Sequence, residues 1–199
     1  MRIGVLALQG DFERHQQALQ RLGIETVLVR KPGQLLGCDG LVLPGGESTT
    51  FVRLMREAEL WEPLKQFCDQ FPVFGTCAGL IVLAAELVNQ AVDTLGAIDI
   101  SVRRNAYGRQ RESFVGEVAL AFGEDRRPYE GVFIRAPKIV RVGPSVTVLG
   151  THRDEPVLVT NGTVLAATFH PELTQDLRIH SLFVEMVRGS LASRKVVLD

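Results

Sequence analysis

The sequence predicts an α/β protein of three layers, α/β/α, with helices on both faces of a mostly parallel sheet. Three observations predict it. Short apolar runs alternate with segments of helical spacing in the first half of the chain, the order that places parallel strands in a sheet covered on both sides. Apolar runs ending at Leu8, Leu43 and Phe74 each open into a glycine-bearing loop, the kind of junction at which such sheets bind ligands. The length, 199 residues of which 46% are hydrophobic, suits one globular domain spanning residues 1–199.

Each element has its own signal. Ile3–Leu8 is a short apolar run and predicts a buried strand. In Phe12–Leu22 the residues Phe12, Ala18, Leu19 and Leu22 share a helical face, and Gly23 stops the helix. Glu25–Val29 reads as a strand ended by Lys31-Pro32-Gly33, and Leu41–Leu43 as another. Glu47-Ser48-Thr49-Thr50 opens a helix to about Ala58, and Trp61–Gln70 forms a second. Val73-Phe74 is a strand, after which Gly75–Gly79 turns the chain into a helix to about Glu86. Beyond Gly96 come the β-like runs Ile98–Val102, Phe114–Ala121, Val132–Ile134, Ile139–Val142, Val146–Leu149, Val157–Thr160 and Val164–Thr168. Helical spacing returns over Asp176–Met186, and the tail Ser193–Asp199 is expected to fray or dock.

Composition excludes several classes of function. The formal net charge is −1, without a long run of one sign, so the basic stripe of a nucleic-acid binder is missing. Arg103-Arg104 and Arg126-Arg127 are short pairs, on charge alone expected to be solvated. No apolar stretch approaches the ~18 residues of a membrane span, and the amino terminus lacks the long apolar region of a signal peptide. A cytoplasmic protein is expected. The three cysteines, Cys38, Cys68 and Cys77, include no CxxC, and the four histidines show no metal-ligand spacing. No metal site is expected. Cys38 and Cys68 are assigned to packing.

Gly75-Thr76-Cys77-Ala78-Gly79 is the cysteine counterpart of the G-x-S-x-G nucleophile elbow. Its glycines let the backbone turn sharply between strand and helix. The helix that follows presents its N-terminal dipole to the sulfur, which favours thiolate over thiol. The N–H of Ala78 is placed to donate to a developing oxyanion. Without that context Cys77 would be a small buried hydrophobe.

A cysteine nucleophile needs a base. Phe169-His170-Pro171-Glu172 supplies one: His170 follows a strand-like run, Pro171 stiffens the turn, and Glu172 is near enough to fix the imidazole tautomer. Taken alone, the segment is a turn histidine with an incidental acid. His15 and His180 fall within predicted helices and His152 in a polar loop, so all three are expected at the surface. Leu43-Pro44-Gly45-Gly46-Glu47-Ser48-Thr49 is neither a Walker loop nor a dinucleotide fingerprint. Gly45 and Gly46 leave backbone N–H groups free to approach a ligand and, with Ala78, to form an oxyanion hole. Ser48 or Thr49 is the expected helix N-cap.

Together PGGEST, GTCAGL and FHPEL resemble the class I (triad) glutamine amidotransferases. LALQGD, RRNAYGRQ and FIRAP narrow the resemblance to the glutaminase subunits of pyridoxal 5'-phosphate synthase, over Ile3 to about Met186. The resemblance implies a flavodoxin-like fold and a catalytic set of Cys77, His170 and Glu172. It further implies glutamine binding by Gly46, Glu47, Ser48, Arg104, Ile134 and Arg135, with Gln9 and Gly10 beside the site. On sequence physics alone Arg104 and Arg135 are ordinary surface arginines. Tyr107, where phenylalanine is frequent, and the segment from Glu112 to Glu117 depart mildly from the family pattern.

The implied reaction is hydrolysis of L-glutamine to L-glutamate and ammonia, without a metal or organic cofactor. The implied partner is a pyridoxal 5'-phosphate synthase subunit that consumes the ammonia within a large hetero-oligomer. Two other readings remain: a glutaminase serving a synthase of histidine or nucleotide biosynthesis, and a non-catalytic binding protein on the same fold. The first would share the triad but not LALQGD and FIRAP. The second has no need of His170 and Glu172.

Overall fold

The computed structural model describes residues 1–88, 92–104 and 113–198, the last four of these in backbone only. The first half alternates β1 (Arg2–Leu6), α1 (Phe12–Arg21), β2 (Glu25–Val29), β3 (Gly40–Leu43), α2 (Ser48–Glu57), α3 (Trp61–Gln70), β4 (Val73–Thr76) and α4 (Ala78–Leu83). Eight strands follow: β5 (Ala84–Leu87), β6 (Ile98–Arg103), β7 (Ser113–Leu120), β8 (Tyr129–Ile134), β9 (Lys138–Val142), β10 (Thr147–His152), β11 (Glu155–Thr160) and β12 (Val164–Ala167). After a 3-10 turn at Pro171–Leu173, α5 (Arg178–Leu198) closes the chain.

Among the described residues the main sheet has nine strands in the order β2-β1-β3-β4-β12-β11-β10-β7-β8. The first five run parallel. The rest are antiparallel, so the sheet is parallel where the site lies and mixed as a whole. Local turn chemistry produces the second half. Between β10 and β11, Arg153 (φ 52°) and Asp154 (φ 64°) are both left-handed, the two-residue turn that matches strand twist. Between β11 and β12, the Asn161 side chain accepts from the N–H groups of Thr163 and Val164. A small sheet, β5-β6-β9, lies apart from this one.

The period-2 alternation of the parallel strands builds a core on each face. Leu41, Leu43, Val73, Val164 and Ala166 pack with α2, α3 and α4. Val42, Phe74, Leu165 and Ala167 pack with Leu19 of α1 and Ile179, Phe183 and Val187 of α5. Burying a side chain such as Phe74 or Phe183 contributes roughly 1.5–3 kcal/mol relative to exposure.

Strands β8 and β10 reach beyond their predicted runs, to Tyr129 and His152, and two predicted helix ends differ. The helix after Cys77 ends at Leu83, not near Glu86, because Ala84, Glu86 and Leu87 pair with β6. The last helix runs well past Met186 to Leu198. Val187 is buried and the Arg194 guanidinium lies 4.0 Å from the Phe71 ring centroid, contacts from distant sequence that hold the extra turns. Asn105–Gln110, with Tyr107, and Glu112 and Asp199 lie outside the described residues. Among the described residues no helix is long and apolar enough to cross a membrane.

Candidate active site

The carboxyl ends of β1, β3, β4 and β12 meet at one edge of the parallel sheet and bring four loops together. The turn after β4 holds Cys77 at the N-cap of α4, with φ 49° and ψ −104°. That region is open to glycine and costly for other residues. Surrounding bonds enforce it: the Cys77 N–H donates to the Ala167 carbonyl (2.9 Å), and the Cys77 carbonyl accepts from Ile81 (3.1 Å). A side-chain carbon on Gly79 would overlap the Leu43 carbonyl, so only glycine lets α4 fold back this closely on β3. Cys77 is 5% exposed as a residue, and its thiol points to the Ile134 carbonyl at 3.8 Å.

His170 follows β12 and is buried, as is Glu172 in the 3-10 turn. The His170 backbone N–H donates to the Val132 carbonyl (2.8 Å), tying the loop to β8. Its Nδ1 lies 2.7 Å from Glu172 Oε1. A carboxylate there accepts a hydrogen bond from Nδ1–H and leaves Nε2 to the chemistry. Nε2 has no aligned partner among the described residues, so the Cys77 sulfur and this nitrogen are poised rather than bonded. A carbon built on Gly45 would lie 2.5 Å from His170 Cε1 and 3.3 Å from Cys77 Cβ, so the two side chains flank this glycine. Burial opposes a charge on His170, but the facing Cys77 and Glu172 outweigh it and raise its pKa to about 10. Burial likewise opposes the Glu172 charge, and His15 and His170 prevail, holding the carboxyl below its usual range.

The loop after β3 presents Gly46 at φ +136°, a conformation that only glycine adopts freely. Glu47, not Ser48 or Thr49, is the N-cap of α2: its carboxylate accepts from the N–H groups of Thr49 (3.0 Å) and Thr50 (2.7 Å). Those bonds outweigh desolvation and pull its pKa to about 2. A longer acid displaces the expected Ser or Thr because its two oxygens reach two N–H groups at once. Arg104 is not merely solvated: it donates to Glu47 Oε1 (2.8 Å) and Thr49 Oγ1 (3.2 Å). Gln9 donates to the Glu47 carbonyl (3.1 Å). Ser48 is buried with its hydroxyl unpartnered among the described residues.

The sequence profile of the SNO glutamine amidotransferase family matches residues 5–189. The chain belongs to that family. Pyridoxal 5'-phosphate synthase subunit PdxT of Koribacter versatilis is 55% identical over 197 residues, covering 98% of this chain and 100% of the relative. The protein of the same name from Thermotoga maritima is 52% identical over 190 residues, covering 94% and 100%. A crystal structure of a glutamine amidotransferase superposes with a TM-score of 0.86 at 47% identity, over 93% of this chain and 98% of the other. PurLQS from Thermotoga maritima, at 14% identity and a TM-score of 0.64, shares the fold over 97% of this chain and 98% of its own.

In this glutamine amidotransferase the structure gathers Cys77, His170, Glu172 and Gly45 into one cluster, with the Ile134 carbonyl against the sulfur. Ala78 opens α4 directly after the cysteine. Glu47, Arg104 and Thr49 form a second, linked group. Arg135 follows β8 with a strained φ of 43° and an exposed side chain.

The surface placement expected for three histidines is overturned. His15 and His180 are fully buried and His152 is 7% exposed. His152 Nδ1 lies 2.8 Å from the Glu117 carbonyl. His15 Nδ1 lies 3.0 Å from His180 Nε2, and His15 Nε2 lies 3.2 Å from Thr76 Oγ1. A signal existed: His15 shares a helical face with Ala18, Leu19 and Leu22, and His180 with Phe183, Val184 and Val187. An imidazole on an apolar stripe points into a core.

Proposed function

We propose that the chain hydrolyses L-glutamine to L-glutamate and ammonia with Cys77, His170 and Glu172, and delivers the ammonia to a pyridoxal 5'-phosphate synthase subunit. The observation that carries the reading is the placement of His170. One ring nitrogen is bound to a buried carboxylate at 2.7 Å, and the ring stands across Gly45 from the cysteine.

In the proposed reaction Cys77 passes its thiol proton to His170 Nε2 and its sulfur attacks the side-chain amide carbon. The carbonyl electrons move onto oxygen, which the backbone N–H groups of the Gly45-Gly46 loop and Ala78 stabilise. His170 Nε2 gives its proton to the amide nitrogen, the C–N bond breaks and ammonia leaves a thioester. His170 then takes a proton from water, whose oxygen attacks the thioester carbon. Breakage of the C–S bond releases glutamate, and Cys77 regains its proton from His170. Glu172 keeps His170 in the required tautomer throughout. The steps as written draw on no metal or organic cofactor, and pyridoxal 5'-phosphate is the partner's product.

Gly46, Glu47, Ser48, Arg104, Ile134 and Arg135 are assigned to the glutamine pocket. The pairing of Arg104 with Glu47 supports this, since a guanidinium beside an N-capping acid suits the charged amino-acid end of the substrate. Full-length relatives named as synthase subunits support the partner. Three free, buried cysteines suit a reducing compartment, and we place the protein in the cytoplasm.

The test is glutamate release from glutamine, with and without the cognate synthase subunit, using Cys77→Ala as control. Stimulation by the synthase, lost in the control, is expected. Activity indifferent to the synthase would overturn the partner, and absence of activity throughout would overturn the reaction.

A further inference from the structure

His15 and His180 have no part in the reaction above, yet both are fully buried and 165 positions apart. Two aliphatic side chains would fill the same space without the desolvation that imidazoles incur. Their polar atoms form a line. His180 Nε2 meets His15 Nδ1 at 3.0 Å. His15 Nε2 lies 3.2 Å from Thr76 Oγ1 and 3.3 Å from Glu172 Oε2, the oxygen that His170 leaves unused. The line thus runs from α5 through α1 to Glu172, His170 and Cys77. The contact to Oε2 is electrostatic rather than a well-aligned bond, because that oxygen has no aligned donor among the described residues.

Two observations select the same protonation pattern. An unprotonated His15 Nε2 would set its lone pair against a carboxylate oxygen 3.3 Å away, so Nε2 carries the proton. His15 Nδ1 must then accept from His180 Nε2–H, which leaves His180 Nδ1 bare. That atom is buried without a partner, and a bare acceptor is tolerated more readily than an orphaned N–H. Both rings are neutral in this pattern. Burial is the main influence in each, and both pKa values are lowered from 6.5.

We propose that His15, oriented by His180 and Thr76, is a positioning residue: its Nε2–H attracts the second oxygen of Glu172 electrostatically and so fixes the plane in which the first oxygen binds His170. The proposal rests on the triad reading above. The charged and titratable groups around His15 are Glu172 and His170 from the loop after β12, His180 from α5 and Asp11 before α1. Ring packing against Phe74, at 6.0 Å for His15 and 5.8 Å for His180, together with the His15 hydrogen bond to Thr76 Oγ1, is the competing, merely structural role.

His15→Leu and His15→Gln separate the two roles. Leucine keeps bulk without polarity, whereas glutamine restores one acceptor and one donor, as a neutral imidazole has. Turnover is measured on the chain with its synthase subunit, and the rate of Cys77 alkylation by iodoacetamide against pH on the chain alone. The leucine variant should lose about 10- to 100-fold in kcat at near-constant KM and shift the alkylation profile. The glutamine variant should recover most of both. Native kcat and an unshifted profile in a folded leucine variant would overturn the proposal, as would a glutamine variant as slow as the leucine one. If His15→Leu does not fold, His180→Phe decides: a shifted alkylation profile supports the positioning role and an unshifted one overturns it. Alkylation needs no glutamine, so failure of the positioning role is distinguishable from failure of the glutaminase reading.

Discussion

Gly45 stands against His170 so closely that a side-chain carbon on the glycine would lie 2.5 Å from the ring's Cε1. The same carbon would lie 3.3 Å from Cys77 Cβ, so an added methyl has little room to shift toward the cysteine and spare the ring. Gly45→Ala should therefore displace the base while leaving the sheet intact. A misplacement on the scale of 1 Å costs about 10²-fold in rate. Steady-state turnover checks this, and native kcat in the alanine variant would contradict it.

The strain at Cys77 predicts a reversed stability order. Glycine is normally worse than alanine near a helix by roughly 0.5–1 kcal/mol. At φ 49° and ψ −104° the alanine side chain is the strained one, by about 1–3 kcal/mol. Cys77→Gly should be more stable than Cys77→Ala in urea denaturation, with both variants inactive on glutamine. Equal midpoints would mean that the turn relaxes without cost.

Buried His180 should make the fold sensitive to acid. Its folded pKa is about 3, lowered from 6.5 by burial first and then by His15. The unfolded chain therefore holds a proton that the native chain lacks between these values. The sign is that the contribution of His180 is fully present above pH 6.5 and falls as pH drops toward 3, at about 1.4 kcal/mol per pH unit for this proton. Glu172, with a folded pKa of about 2 against 4.5, adds a loss of the same sign below pH 4.5. Denaturant titrations between about pH 4 and pH 6.5 should show a slope shallower by about one proton in His180→Phe. An unchanged slope would show that His180 is protonated in the native state.

Glu47 joins a structural role to its proposed binding role. It caps two N–H groups of α2 and pairs with Arg104. Glu47→Ala should cost about 1 kcal/mol of stability and raise KM for glutamine more than it lowers kcat. Calorimetry and turnover together check this, and a variant that loses kcat at constant KM would move Glu47 from the pocket to the chemistry.

How much of this was legible in the sequence varied with the range of the interactions. Glu25–Val29 and Trp61–Gln70 match the observed β2 and α3 to the residue, because spacing, Gly and Pro are local signals. The candidate cysteine and the His170–Glu172 contact were legible for the same reason: an elbow is a five-residue pattern and the acid is two residues from its histidine. Strand β5 was not legible. Ala84–Leu87 continues a helical pattern, and only pairing with β6 turns it into a strand.

By itself, then, the sequence determined the alternation of layers, the strand-end loops and the identities of the candidate nucleophile, base and acid. Tertiary structure alone decided that Glu47 caps α2 while holding Arg104, and that His15 and His180 face each other behind Glu172. The physical reason is distance along the chain. Periodicity says which face of a helix is buried, but not which side chain from 165 residues away will be buried against it.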